Sequence, residues 1–301
     1  MVPIESTAAS GPASPSNLER FTVFVSAEFA REAASHTAPP LAACEIRLFN
    51  TRFHAITLER ACQIIYSWFD ASEGGCRVVV TPNVDHLVMM SRSPMLRAAY
   101  DAASLVVADG WPIVAVSRLL RTPLPERVAG SDLVPALMAR WPGPGRLMVF
   151  LLGAAPGVAE RAAERVQENC PLVDVCGIHS PPIGFENDAA ENARIVDKIN
   201  ALRPHLVVVG LGAPKQETWL QRHASQLNAK VAIAGGGTID FIAGQQPRAP
   251  VWVRRIGMEW FHRLVSDPRR LGGRYLYDAW VFPQLIAKEF WRKVRSETHQ
   301  P

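Results

Sequence analysis

The chain has 301 residues, 48% of them hydrophobic and 20% charged, and a formal net charge of +4. About half of it is available to build a core, which excludes general disorder, and no run approaches the roughly 18 apolar residues of a membrane-spanning helix. The five cysteines (Cys44, Cys62, Cys76, Cys170 and Cys176) are odd in number and contain no Cys-x-x-Cys pair, so neither a disulfide scaffold nor a structural zinc site is expected and a reducing compartment fits best.

Residues 1–16 are rich in Ser, Ala and Pro and carry one acid and no base, so they lack the basic start of a secretory signal. Residues 1–45 are expected to form a poorly ordered extension. From Ile46 the chain alternates. Short apolar runs at 77–80, 104–108, 147–152, 172–176, 205–209 and 230–234 read as strands, and segments of helical spacing at 58–69, 84–99, 131–141, 158–169 and 190–202 lie between them. Near-continuous apolar strands alternating with helices predict an α/β fold: a mostly parallel, Rossmann-like sheet covered by helices over residues 46–247.

Ligands of such sheets bind beyond the carboxyl ends of the strands, and those ends are polar and glycine-rich here. The first run leads into Thr81-Pro82-Asn83-Val84-Asp85-His86 and the second into Asp109-Gly110. The third ends in Gly153-Ala154-Ala155-Pro156-Gly157, the fifth in Gly210-Leu211-Gly212-Ala213-Pro214-Lys215-Gln216-Glu217, and the sixth in Gly235-Gly236-Gly237-Thr238-Ile239-Asp240. Glycines allow close backbone approach and helix N-termini offer free amides, a combination that suits a phosphorylated ligand such as a nucleotide. Taken singly, each piece has a plainer reading: Gly153 to Gly157 as an ordinary strand-to-helix turn, Asp109 as a cap for a helix starting near Trp111, and Lys215 as a surface lysine. Neither a Walker loop nor a dinucleotide fingerprint is present, and no histidines form a ligand-spaced pair.

In order, the strings resemble the WecG/TagA/CpsF glycosyltransferases (glycosyltransferase family 26). To those above are added Pro125-Glu126-Arg127-Val128-Ala129-Gly130-Ser131-Asp132, Asp240-Phe241, Arg248-Ala249-Pro250, Gly257-Met258-Glu259-Trp260 and Asp267-Pro268-Arg269-Arg270. The resemblance implies an inverting transfer, without a metal or other cofactor, from a UDP-sugar to a sugar on a polyprenyl diphosphate. The products of such transfers are exopolysaccharides or other cell-surface polysaccharides. It also implies a cytoplasmic enzyme held peripherally at the inner face of a bacterial plasma membrane. Thr81, Asn83, Asp109 and Arg127 fall on the family's catalytic pocket. Gly153, Gly210, Gly212, Pro214, Lys215, Gln216, Glu217, Gly236 and Asp240 fall on substrate-binding turns. Arg263, Arg269 and Arg270 would approach the diphosphate or lipid. In this chain Thr238 brings a hydroxyl to a turn where the family usually has Gly-x-Gly-Ala, a place expected to bear on the donor.

Residue chemistry agrees: inverting transfer needs one base to deprotonate the acceptor hydroxyl, and Asp109 at a strand end is the best-placed carboxylate. Without Asp-x-Asp and a metal, arginines and backbone amides must neutralise the departing diphosphate.

Residues 250–301 hold ten Lys and Arg against five Asp and Glu, whereas residues 1–249 are near neutral. The same segment holds Trp252, Trp260, Trp280 and Trp291, half of the eight tryptophans. Trp252, Ile256, Trp260 and Leu264 share one face of a helix that Asp267-Pro268 would end, and Gly272-Gly273 is expected to loosen the chain again. Residues 248–301 therefore read as a helical, membrane-associating appendage, with core packing or the interface of a homo-oligomer as the alternatives for its aromatics. Nucleic acid is not an expected partner. A non-catalytic sugar-nucleotide sensor or assembly scaffold is the competing functional class, whereas a nicotinamide enzyme would need the fingerprint this chain lacks.

Overall fold

A computed structural model describes residues 40–70, 75–246, 249–250, 253 and 258–297, without the side chains of 263, 266, 270, 296 and 297. The extension expected at 1–45 therefore falls outside the described residues as far as residue 39. A hairpin of β1 (Glu45–Leu48) and β2 (Thr51–His54) comes first. Its two-residue turn, Phe49-Asn50, has φ of 55° and 56°, the paired left-handed geometry that matches strand twist.

The main sheet has six strands in the order β4-β3-β8-β7-β5-β6, all parallel: β3 (Arg77–Val80), β4 (Leu105–Val106), β5 (Leu147–Gly153), β6 (Val173–His179), β7 (Leu206–Gly210) and β8 (Val231–Ala234). The central strands are closed to solvent on both faces, which is why they read as unbroken apolar runs. Val78, Val80, Phe150, Leu152, Val207 and Val209 face one core. Against that core lie α2 (Val84–Met90), α3 (Pro94–Ala102), α4 (Trp111–Leu119), α7 (Ala189–Leu202), α8 (Lys215–His223) and Phe282 of the C-terminal helix. The other face carries α1 (Leu58–Phe69), α5 (Gly130–Ala139), α6 (Val158–Asn169) and α9 (Thr238–Ile242). The α/β class is as expected, and the five cysteines are free.

Three local expectations are corrected. The helical pattern at 84–99 is two helices, because Pro94 cannot continue the first and Ser93 caps the second through Leu96 N at 3.2 Å. Strand β6 runs on through His179 rather than stopping at Cys176. The C-terminal segment forms α10 (Glu259–Ser266) and then one 30-residue helix, α11 (Pro268–Glu297), which continues through Gly272-Gly273 and Pro283. The break at Asp267-Pro268 is present, but Met258 is not helical and Trp252 and Ile256 lie outside the described residues, so the proposed 252–264 face is not seen as one helix. Among the described residues no helix is long and apolar enough to cross a membrane.

Candidate active site

Strand ends assemble the site. After β3 the chain enters α2 through Asn83, whose Oδ1 accepts from His86 N at 3.2 Å while Asn83 N donates to His86 Nδ1 at 3.0 Å. This reciprocal cap fixes the first turn that carries Asp85. Past β4, Asp109 N donates to Pro82 O at 2.9 Å, and Val128 N donates to Ala108 O at 2.8 Å. Those two bonds stitch three segments together and set Arg127 beside Asp109. Helix α4 is capped by Gly110 without a side-chain bond, so Asp109 does not serve as the cap the sequence allowed.

The Arg127 guanidinium meets three carboxylates: Asp109 Oδ1 at 3.3 Å, Asp132 Oδ2 at 2.5 Å and Glu259 Oε2 at 3.1 Å. Burial opposes its charge, but Asp109 first, then Asp132 and Glu259, raise its pKa above the ordinary arginine value. The group opens into a cavity of about 330 Å³ lined also by Asn83, Asp85, Trp111, Trp260, Arg274, Tyr275 and Asp278. That volume lies in the range of small-molecule sites. Helices α10 and α11 close it from above the strand ends, with Arg274 Nη1 3.5 Å from Asp85 Oδ2.

The glycine-rich turns lie along the neighbouring strand ends, outside this cavity's lining. They touch through backbone: a Cβ on Gly153 (φ 110°) would stand 2.5 Å from Gly210 O, and one on Gly210 would stand 3.0 Å from Gly236 O. Glycine is required at Gly153 by both its dihedral and this approach. Gly212 and Gly236, by contrast, face open space. Gln216 and Glu217, at the start of α8, turn inward and are 2% exposed. Gln216 accepts from Gly236 N at 3.1 Å and donates to Glu217 at 2.9 Å, bracing the β8 turn against α8. Pro214 precedes α8 after a cis peptide bond, and half-exposed Lys215 pairs with Glu186 at 2.6 Å. Thr81 is buried next to Gly130, which abuts Gly235. Asp240 sits in the first turn of α9. Thr238, expected to bear on the donor, is 1% exposed and donates to Gly235 O at 2.5 Å, so its hydroxyl serves the turn.

Of the residues named from sequence, the structure thus brings Asn83, Asp109 and Arg127 into one cavity. Arg269 is exposed and outside its lining, and the side chains of Arg263 and Arg270 lie outside the described residues. Glu259, Arg274 and Asp278 went unnamed as site residues. The signal available for the last two was a charged i, i+4 pair flanked by Leu271 and Phe282, on an otherwise apolar helix face.

The carboxylate–arginine cluster and its cavity lie at the carboxyl end of a parallel α/β sheet, where enzymes of this architecture bind their ligands. Residues 46–296 match the profile of the glycosyl transferase WecG/TagA/CpsF family, and the chain belongs to that family. It is similar to the N-acetylglucosaminyldiphosphoundecaprenol N-acetyl-beta-D-mannosaminyltransferase of Bacillus spizizenii, 31% identical over 68% of this chain and 76% of that one. The Staphylococcus aureus protein of the same name is 28% identical over 76% of this chain and 87% of its own. The chain is a glycosyltransferase.

Proposed function

We propose that this glycosyltransferase moves a sugar from a UDP-sugar to a sugar carried on a polyprenyl diphosphate, by one inverting displacement that needs no metal ion. The observation that carries the reading is the Asp109–Arg127 pair at the end of β4, open to a cavity and roofed by a helical arm with exposed tryptophans. Asp109 takes the proton of the acceptor hydroxyl while that oxygen bonds to the anomeric carbon. The bond from that carbon to UDP breaks, and its electron pair leaves on the diphosphate. Such a base contributes about 10²–10⁴-fold. Arg127 orients the carboxylate, and its cation already lies among Asp109, Asp132 and Glu259. The open backbone at Gly212 and Gly236 offers room for the donor's diphosphate. The relatives' names specify a lipid-diphosphate sugar acceptor, which supports the same acceptor class here.

The arm supports a site at the cytoplasmic leaflet. Leu276, Trp280 and Trp291 are 75%, 73% and 62% exposed on one stripe of α11, with Lys288, Arg292 and Arg295 nearby. Each base near an anionic surface is worth about 1 kcal/mol. The reading is tested by UDP release from a panel of UDP-sugars with a short-chain polyprenyl-diphosphate-linked N-acetylglucosamine in EDTA, with the product anomer read by NMR. Turnover with one donor and inversion are expected. Loss of activity in EDTA overturns the metal-free mechanism, and retention overturns the single displacement. UDP binding without turnover on any donor favours the sensor or scaffold.

A further inference from the structure

We propose that Asp278 is a recognition group for the acceptor sugar, accepting hydrogen bonds from its hydroxyls and thereby coupling acceptor binding to the seating of α11. This rests on the transfer reading above. Asp278 is 7% exposed, lines the cavity, and receives no hydrogen bond or close ion pair from any described side chain. A carboxylate withdrawn from water without donors is costly, and a ligand's hydroxyls are the donors that a sugar-sized cavity can supply.

The surroundings point to the hydroxyl-rich sugar part of a ligand. The cavity lining carries Asp85, Asp109, Glu259 and Asp278 against Arg127 and Arg274, an excess of hydrogen-bond acceptors that suits hydroxyl donors. Trp260 and Tyr275, edge to face with centroids 6.4 Å apart, add aromatic surface for the apolar face of a pyranose. The sugar beside the proposed base is the acceptor, so Asp278 is assigned to that substrate rather than to the donor. Helix α11 is seated along its length: Arg92 stacks on Tyr277 at 4.1 Å, Phe282 meets Phe49 at 5.7 Å, and Lys293 donates to Leu120 O at 3.0 Å. A ligand held by Asp278 therefore adds one more tie between arm and body.

Charged groups facing Asp278 are Asp85 on α2, Arg92 just after it, Arg274 on its own helix, and Asp109, Arg127 and Glu259 across the cavity. Burial first, then Asp85, push its carboxyl up to about 6, against the pull of Arg274 and Arg92. The folded chain thus holds this proton more tightly than the unfolded chain does. The contribution of Asp278 to stability turns unfavourable as pH rises from about 4 to about 6, and it stays so above.

The test is equilibrium binding of a short-chain polyprenyl-diphosphate-linked N-acetylglucosamine, followed by tryptophan fluorescence without donor, for wild type, Asp278→Asn and Asp278→Ala. Both variants are expected to bind at least tenfold more weakly at pH 7.5. The loss of wild-type affinity between pH 7.5 and 5.0 is expected to exceed that of Asp278→Asn. Without ligand, Asp278→Asn should melt above wild type at pH 7.5, with the gap closing towards pH 4. Higher stability joined to weaker binding is not what a structural residue gives. Equal affinity in all three proteins overturns the assignment even if transfer is intact. Absence of transfer with this binding pattern overturns the transfer reading alone.

Discussion

The two walls of the cavity are built on different terms. On the strand-end wall, Arg127 gathers Asp109 and Asp132 and also Glu259 from the start of α10, and backbone bonds from Asp109 and Val128 lock the segments that carry Asp109 and Arg127. On the helical wall, Asp85 and Asp278 share a half-exposed Arg274, whose nearest approach to Asp85 is 3.5 Å. The first wall is satisfied internally and keeps its geometry without a ligand, as a reacting group requires. The second is left short of donors, as a binding surface requires.

Outside Asp109 itself, the comparison breaks most severely at Arg127. Replacing it with Met leaves three carboxylates around an absent cation, and loss of one partner from a buried ion pair costs about 3–5 kcal/mol. Urea denaturation should show that loss, whereas Arg274→Met should cost less than about 1 kcal/mol because its charge is half exposed. Equal losses at both positions would erase the distinction between the walls.

Glycines sharpen it at smaller scale. Gly153→Ala forces a Cβ to within 2.5 Å of Gly210 O at a φ of 110°, so it should destabilise by more than about 1 kcal/mol. Gly272→Ala, inside α11 with nothing within 4 Å of the new methyl, should stabilise by about 0.5–1 kcal/mol. Thermal melts of the two single variants check both signs. The least effect on folding is expected for Trp280→Ser with Trp291→Ser, within about 0.5 kcal/mol for each exposed site. Cosedimentation of that variant with anionic vesicles should nevertheless fall by roughly tenfold or more, since each indole buries about 1.5–3 kcal/mol of apolar surface in a membrane. Unchanged vesicle binding would remove the membrane role from this stripe.

Legibility in the sequence follows the same division. Strands β3, β5, β7 and β8 could be read nearly residue by residue because both faces are buried and the apolar run is unbroken. The β1–β2 hairpin was not read, because its turn uses Phe49-Asn50 where the recognisable signal is Asn-Gly. The continuation of β6 escaped because an edge strand with a half-exposed pattern, ending Gly177-Ile178-His179, lacks that apolar signature. Asn83 and Asp109 stood out because they follow strands, and Arg127 only because the string Pro125 to Asp132 carries the family resemblance. Glu259, Arg274 and Asp278 reach the same cavity from more than 100 residues away, and no local periodicity marks a contact of that range. The inward turn of Gln216 and Thr238 is a side-chain matter that a glycine-rich turn does not reveal.

The most direct test of the account is a rapid-quench single turnover of Asp109→Asn with UDP-sugar and lipid-linked acceptor, run beside a UDP-binding titration. The account predicts UDP affinity within threefold of wild type and a chemical step slower by about 10²–10⁴-fold. A chemical step at the wild-type rate, with UDP bound as tightly, would contradict the assignment of Asp109 as the base.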